Sequence, residues 1–229
     1  MTTAAQAAEK SAARNLPFTV KRNFRKTLTE RVNAYLRDNH LPARDLPAMH
    51  LKTAVVLAGW LGIYLLILLG NLPAWVNLIL CLLWGMAIAS VGFNVMHDAN
   101  HGGYSDNPRT NSLVSLSAEL LGMSGFRWRT KHNIWHHTYT NVAGFDDDVE
   151  TFGLMRLTPR MPWKPLFRAQ AGYFPLVYSM IGFDFFLRDF MMILTGKSDE
   201  NHVYPKLTTL DKITFWAGKL FYLIIMFVL

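Results

Sequence analysis

The longest pattern along this chain is an absence of charge. Residues 53–96, TAVVLAGWLGIYLLILLGNLPAWVNLILCLLWGMAIASVGFNVM, run forty-four positions without one Asp, Glu, Lys or Arg. A bilayer core needs roughly 20 apolar residues per helix. The stretch therefore predicts two spans, 53–70 and 74–96, joined by the turn Asn71-Leu72-Pro73. Upstream, Phe24, Leu28, Val32 and Leu36 recur at four-residue spacing within the basic segment 20–39. That spacing predicts an amphipathic helix, suited either to an anionic leaflet or to packing on a cytosolic domain. LPARDLP, with its two prolines, makes a linker after it. Residues 1–20 read as disordered, with no continuous apolar core of a secretory leader.

Beyond Met96 the pattern breaks up. Gly102-Gly103 and Asn107-Pro108 stop any helix, and the apolar segment 111–123 is too short to cross a bilayer. Residues 166–194 are apolar and aromatic, but Asp184, Arg188 and Asp189 interrupt them after the uncharged run 171–183. Both segments are predicted as interfacial helices, with Asp184 and Arg188 pairing at i, i+4. A further apolar segment, 214–229, is read as the start of another span. The expected division is a basic N-terminal segment, 1–52, and a membrane domain, 53–229.

Composition sharpens this picture. The chain is 51% hydrophobic with a net charge of +7 and a mean hydropathy of +0.15. Its basic excess is local: residues 1–52 hold ten Lys or Arg against four Asp or Glu, whereas 97–211 hold eleven against twelve. A nucleic-acid surface is therefore not expected. Because the 71–73 turn carries no Lys or Arg, the positive-inside rule places the N-terminus and everything after Met96 on the cytoplasmic side. The single cysteine, Cys81, lies in the second predicted span and reads as a small packing residue.

Five of the eight histidines fall into two clusters. His97 and His101 stand at i, i+4 where the second predicted span meets water, a position in which ionisable groups are functional candidates by default. His132 and His136 repeat the spacing in RWRTKHNIWHHTYTN, and His137 lies about 100° further round an ideal helix, able to serve a second ion. Neutral imidazoles in this number suit a first-row transition metal. A zinc protease site would place a Glu base between its paired histidines, and Asp-Ala-Asn and Asn-Ile-Trp stand there instead. Haem has no use for a His-His doublet. Two irons that activate O₂ fit better. The isolated His40, His50 and His202 read as solvated or hydrogen-bonded surface residues. Arg127, Arg129 and Lys131 read as leaflet anchors.

HDANH, then HNIWHH, then TYTNVAGFDDDVE resembles the membrane fatty acid desaturases, above all their bacterial front-end and linoleoyl-CoA-type branch. His97 and His101 match that family's HxxxH box, and His132, His136 and His137 match its HxxxHH box. Thr140, Asn141, Gly144, Asp146 and Asp148 match the tail that follows. The resemblance covers roughly residues 50–229. It implies an all-α integral membrane protein with a transmembrane helical hairpin, a cytosolic helical cap bearing the histidines, and a second hairpin that is incomplete here. It implies two non-haem iron ions held by these five histidines and by ligands from a third box, [H/Q]xxHH, so that the chain is expected to be the N-terminal part of a longer desaturase. The implied reaction is O₂-dependent removal of two hydrogens from a long-chain fatty acyl group, with electrons from a separate ferredoxin or cytochrome b5-like donor. Other membrane di-iron oxygenases, such as hydroxylases or ketolases, and a non-catalytic metal or haem carrier are the alternatives.

Around the boxes, Asp98, Asn133 and Asn141 are candidates to orient the imidazoles or to act as caps and turn formers. Asp146, Asp147, Asp148 and Glu150 read as a solvated acidic loop, with ligand orientation or head-group binding as the other reading. Trp128 is expected in the interfacial aromatic belt, and Trp135 there or along an acyl channel.

Overall fold

The computed structural model of the chain describes residues 23–149, 151, 153–199 and 202–228. The expected disorder of 1–20 and any role of Glu150 lie outside these residues. The described residues are helical apart from turns, loops and one isolated bridge, Lys197 to Val203. The chain divides into a unit ending at Leu46 and a unit from Pro47 to Leu229. The first contributes α1, Asn23–Asp38, in which Phe24, Leu28 and Val32 are exposed.

The second unit opens with α2, Pro47–Leu69. Proline is well suited to a first helical position because the N–H it lacks would have no partner there. The turn that follows includes Asn71 at φ +45° and leads into α3, Ala74–Asn100. Both helices are long and apolar enough to cross a membrane, and only 17% and 11% of their most apolar windows are buried. A core helix of a soluble protein would be mostly covered. Here Leu65, Leu69, Leu78, Leu82 and Met86 face outward. Cys81 is exposed too, not packed inside as expected, because it lies on this outward surface of α3. The two helices meet through Trp84, whose Nε1 donates to the Trp60 carbonyl at 3.1 Å.

The remaining helices are short until the last. They are α4, Pro108–Ser115; α5, Ser117–Leu120; α6, residues 125–139; α7, Gln170–Ser179; α8, Ile181–Thr195; and α9, Thr209–Val228. The segment 111–123 thus forms two short helices rather than one. The expected ion pair on α8 is present, with Arg188 Nε 2.9 Å from Asp184 Oδ1. A capping box starts α9: Thr208 Oγ1 accepts from the Asp211 amide at 3.2 Å, while Asp211 Oδ2 accepts from the Thr208 amide at 2.9 Å. Gly218 of α9 lies against α5, where an added Cβ would stand 2.7 Å from the Glu119 Cβ. Further along α9, Ile225 accepts from the Tyr64 hydroxyl of α2 at 3.1 Å.

Candidate metal centre

Each histidine cluster sits on a helix that widens locally. In α3, residues Gly92–Met96 form a π turn, closed by the His97 amide bonding to the Gly92 carbonyl. In α6, residues Thr130–His136 form another, closed by the His137 amide bonding to the His132 carbonyl. Such i→i+5 turns recur at functional sites. Here the second has a direct consequence. It brings residue i+5 back toward residue i, so His137 does not swing to a neighbouring face as an ideal α-helix would have it.

The five rings form one cluster. Ring centroids lie 4.5 Å apart for His97 and His101, 5.2 Å for His97 and His132, 4.9 Å for His101 and His137, and 4.7 Å for His132 and His137. His132 and His136 stack at 5.2 Å. Two groups of donor atoms have spacings within 4.8 Å, His97, His101 and His132 in one and His132, His136 and Asp148 in the other. His132 belongs to both.

The donors fit a metal. His132 Nε2 is buried without a hydrogen-bond partner, an arrangement that costs stability unless something binds there. Burial, reinforced by the neighbouring His137, lowers the His132 pKa to about 4. Burial and the His97 and His137 rings lower His101 as well. Both are therefore neutral near pH 7, the form that coordinates metals. His136 Nδ1 lies 3.1 Å from both oxygens of Asp146 and 3.2 Å from Asp148 Oδ2. That commits Nδ1–H and leaves Nε2 for a metal, the usual carboxylate–histidine arrangement.

These neutral imidazoles make the metal-free chain acid-sensitive. An unfolded histidine takes up a proton near pH 6.5 and folded His132 not until about pH 4, so the unfolded state binds more protons in between. Stability is then lost as pH falls through that window. The melting temperature of the metal-free chain in detergent should drop from pH 7 to pH 4.5, and by less in His132→Phe. Equal drops in both proteins would refute this.

Several surrounding residues differ from expectation. Trp128 is buried, stacked on His132 at 4.3 Å and edge-on to His97 and His101 at 5.6 and 5.7 Å. It covers the cluster and is not part of a peripheral aromatic belt. Trp135 packs on His202 and Tyr204. Arg127 and Lys131 are buried and paired with carboxylates, not anchored in a leaflet: Arg127 lies 3.6 Å from Asp189, and Lys131 2.8 Å from Asp148. Arg129 donates to Asn100 Oδ1 at 3.1 Å. Asp146 and Asp147 are buried, so the acidic loop is not simply solvated.

Of the three candidates for orienting the rings, Asp98 Oδ1 stands 3.7 Å from His97 Nδ1, while its other oxygen accepts from Lys52 at 2.9 Å. The Asn133 side chain donates to the Asn100 carbonyl at 2.9 Å, tying α6 to α3. Asn141 contributes its backbone amide, 2.7 Å from Asp146 Oδ2, at φ +62°. His50 is 3.1 Å from the Tyr104 hydroxyl. His202 is buried, not a surface residue, because Asp199 and the Phe145 carbonyl take both its ring nitrogens. Asp147, Asp199 and His202 also lie close enough to hold an ion, yet Arg188 and Lys131 already face Asp147 at 3.1 and 3.5 Å. This second grouping is an ion-pair cluster.

The sequence of residues 73–229 matches the profile of the fatty acid desaturases. The chain is 36% identical over 198 residues to an sn-1 linoleoyl-lipid 6-desaturase of Arthrospira platensis, covering 86% of this chain and 54% of that protein. It is 35% identical to an sn-1 linoleoyl-lipid 6-desaturase of Synechocystis, over 92% of this chain and 59% of that one. It is 31% identical to an acyl-lipid (8-3)-desaturase of Physcomitrium patens, over 90% and 44%. No solved structure matches. This chain, with no strand among its described residues and two helices able to cross a membrane, belongs to the fatty acid desaturase family. It spans about half the length of the curated relatives it matches.

Proposed function

We propose that this chain carries part of the di-iron centre of an acyl-lipid desaturase. The observation that carries the reading is the cluster of five imidazoles around His132, whose buried Nε2 has no hydrogen-bond partner. His97, His101, His132, His136 and His137 are the proposed ligands of two iron ions. Five imidazoles leave a two-iron centre short of its usual ligand number, so further donors complete it.

Bound iron would supply the activation of O₂ needed to remove two hydrogens from adjacent methylenes, with two electrons and two protons completing the reduction of O₂ to water. The chain's own residues would set the conditions. Burial keeps His132 neutral, Asp146 holds the Nδ1 proton of His136, and Trp128 excludes water from one side of the cluster. An acyl chain would approach from the bilayer, since α3 carries its apolar surface up to the first two histidines. In this reading α2 and α3 form a membrane hairpin, the histidine-bearing helices form a cytoplasmic cap, and the N-terminus is also cytoplasmic, in a bacterial inner membrane. The named relatives act on acyl lipids, which favours a lipid-linked acyl chain over acyl-CoA. A separate ferredoxin or cytochrome b5-like protein would deliver the electrons.

His136→Ala should lower iron per chain in the purified protein while leaving membrane insertion intact. Unchanged iron stoichiometry would sink the ligand assignment.

A further inference from the structure

His202 lies apart from the histidine cluster, in a loop whose described residues are 196–199 and 202–204. That loop closes on itself through the Ser198 amide donating to the His202 carbonyl and the Tyr204 amide to the Gly196 carbonyl, each at 2.9 Å. The His202 ring is buried against Trp135, with centroids 4.4 Å apart. Its Nδ1 lies 2.7 Å from Asp199 Oδ2 and its Nε2 2.8 Å from the Phe145 carbonyl oxygen. A carboxylate and a carbonyl can only accept, so both bonds form only when both ring nitrogens carry protons. The geometry holds an imidazolium.

What it grips matters more. The residue after Phe145 is Asp146, which takes the Nδ1 edge of His136 at 3.1 Å and accepts from the amides of Asn141 at 2.7 Å and Asp148 at 3.0 Å. The loop makes a second contact through Ser198, whose hydroxyl donates to Asp147 Oδ1 at 3.3 Å. One loop thus holds the acidic segment on both sides of Asp146.

We propose that His202 is a positioning residue for His136: as an imidazolium it fixes the Phe145 carbonyl, and through it the Asp146 carboxylate that orients the His136 ring. The inference rests on the reading of His136 as a metal ligand. Charged and titratable groups around His202 agree with its charge. Asp199 and Asp147 face it, Lys131 of α6 and Arg188 of α8 lie beyond Asp147, and Tyr204 also packs on Trp135. Burial alone would lower its pKa, but the bonds to Asp199 and Phe145 and the charges of Asp199 and Asp147 raise it. The grip is therefore complete below the ordinary value of 6.5 and weakens as pH rises through the raised one, when one proton and one bond are lost.

The test compares the whole chain with His202→Gln, whose side chain is neutral at every pH. Without metal, amide exchange at Asn141 and Asp148 should be about tenfold faster in the variant at pH 6, measured at matched pH; equal exchange overturns the proposal. With Co(II) as probe, followed by its visible absorption, the variant should bind about tenfold more weakly at pH 6, the lower end of the effect of losing an outer partner. That ratio should fall toward one as pH rises and should equal one in a His136→Ala background. A ratio independent of pH, or one that persists without His136, overturns the proposal. If His136→Ala itself leaves Co(II) affinity unchanged, the metal reading fails instead, and the exchange measurement still decides whether His202 holds the loop.

Discussion

Replacing His132 by phenylalanine is expected to weaken iron binding more than loss of any other single histidine. His97 and His101 serve one group and His136 the other, but His132 contributes to both. Losing a residue that merely orients a ligand weakens metal binding by about 10–100-fold. Losing a direct ligand should exceed that range, so Fe(II) affinity is expected to fall by more than about a hundredfold. Phenylalanine is chosen because it keeps the aromatic stack on Trp128 at 4.3 Å and fills the buried space, which separates loss of the donor from loss of packing. Iron per chain, measured beside His97→Phe and His136→Phe, tests the ranking. Retention of iron by His132→Phe at the level of either comparison variant would refute this ranking.

Much of this histidine cluster was legible in the sequence because its spacing is local. The i, i+4 pairs follow from helical periodicity, and the uncharged run of 53–96 announces two long apolar helices without any tertiary information. What stayed hidden depends on contacts between distant segments or on departures from ideal helix. His137 joins the cluster because α6 opens into a π turn, which no periodicity rule anticipates. Asp146 looked like one of several surface acids until the chain turned at Asn141 and Gly144, both at positive φ, and carried it back to His136. Trp128 and Lys131 sit in a basic, aromatic stretch whose composition suits a membrane surface equally well. Only their neighbours reveal that the indole covers the rings and the ammonium neutralises Asp147 and Asp148. Lys219 did carry a signal: a lone charge within an apolar helix is a functional or structural site by default.

That lysine defines the second large effect. Asp189 is fully buried at the meeting of three segments. Its Oδ2 accepts from Lys219 Nζ of α9 at 2.6 Å and from the Ser124 amide at 2.7 Å, and its Oδ1 lies 3.6 Å from Arg127 of α6. Lys219 also donates to the Gly122 carbonyl at 2.5 Å, and its ammonium lies over the Phe186 ring, 4.6 Å from the centroid. Arg127 is five residues ahead of His132, so this cluster sets how the histidine helix sits against α8 and α9. Asp189→Ala would remove the carboxylate that lies between Lys219 and Arg127, and removing one partner of a buried pair costs about 3–5 kcal/mol. Replacing all three charges, as Arg127→Met, Asp189→Leu and Lys219→Met together, should cost far less, because apolar packing can substitute for a buried ion cluster. Chemical unfolding in detergent would compare the two. If the charges supply registry as well as stability, the triple variant should refold yet bind iron more weakly than wild type. A single Asp189→Ala variant within about 1 kcal/mol of wild type would mean that water reaches the cluster and that the three charges do not fix α6 in place.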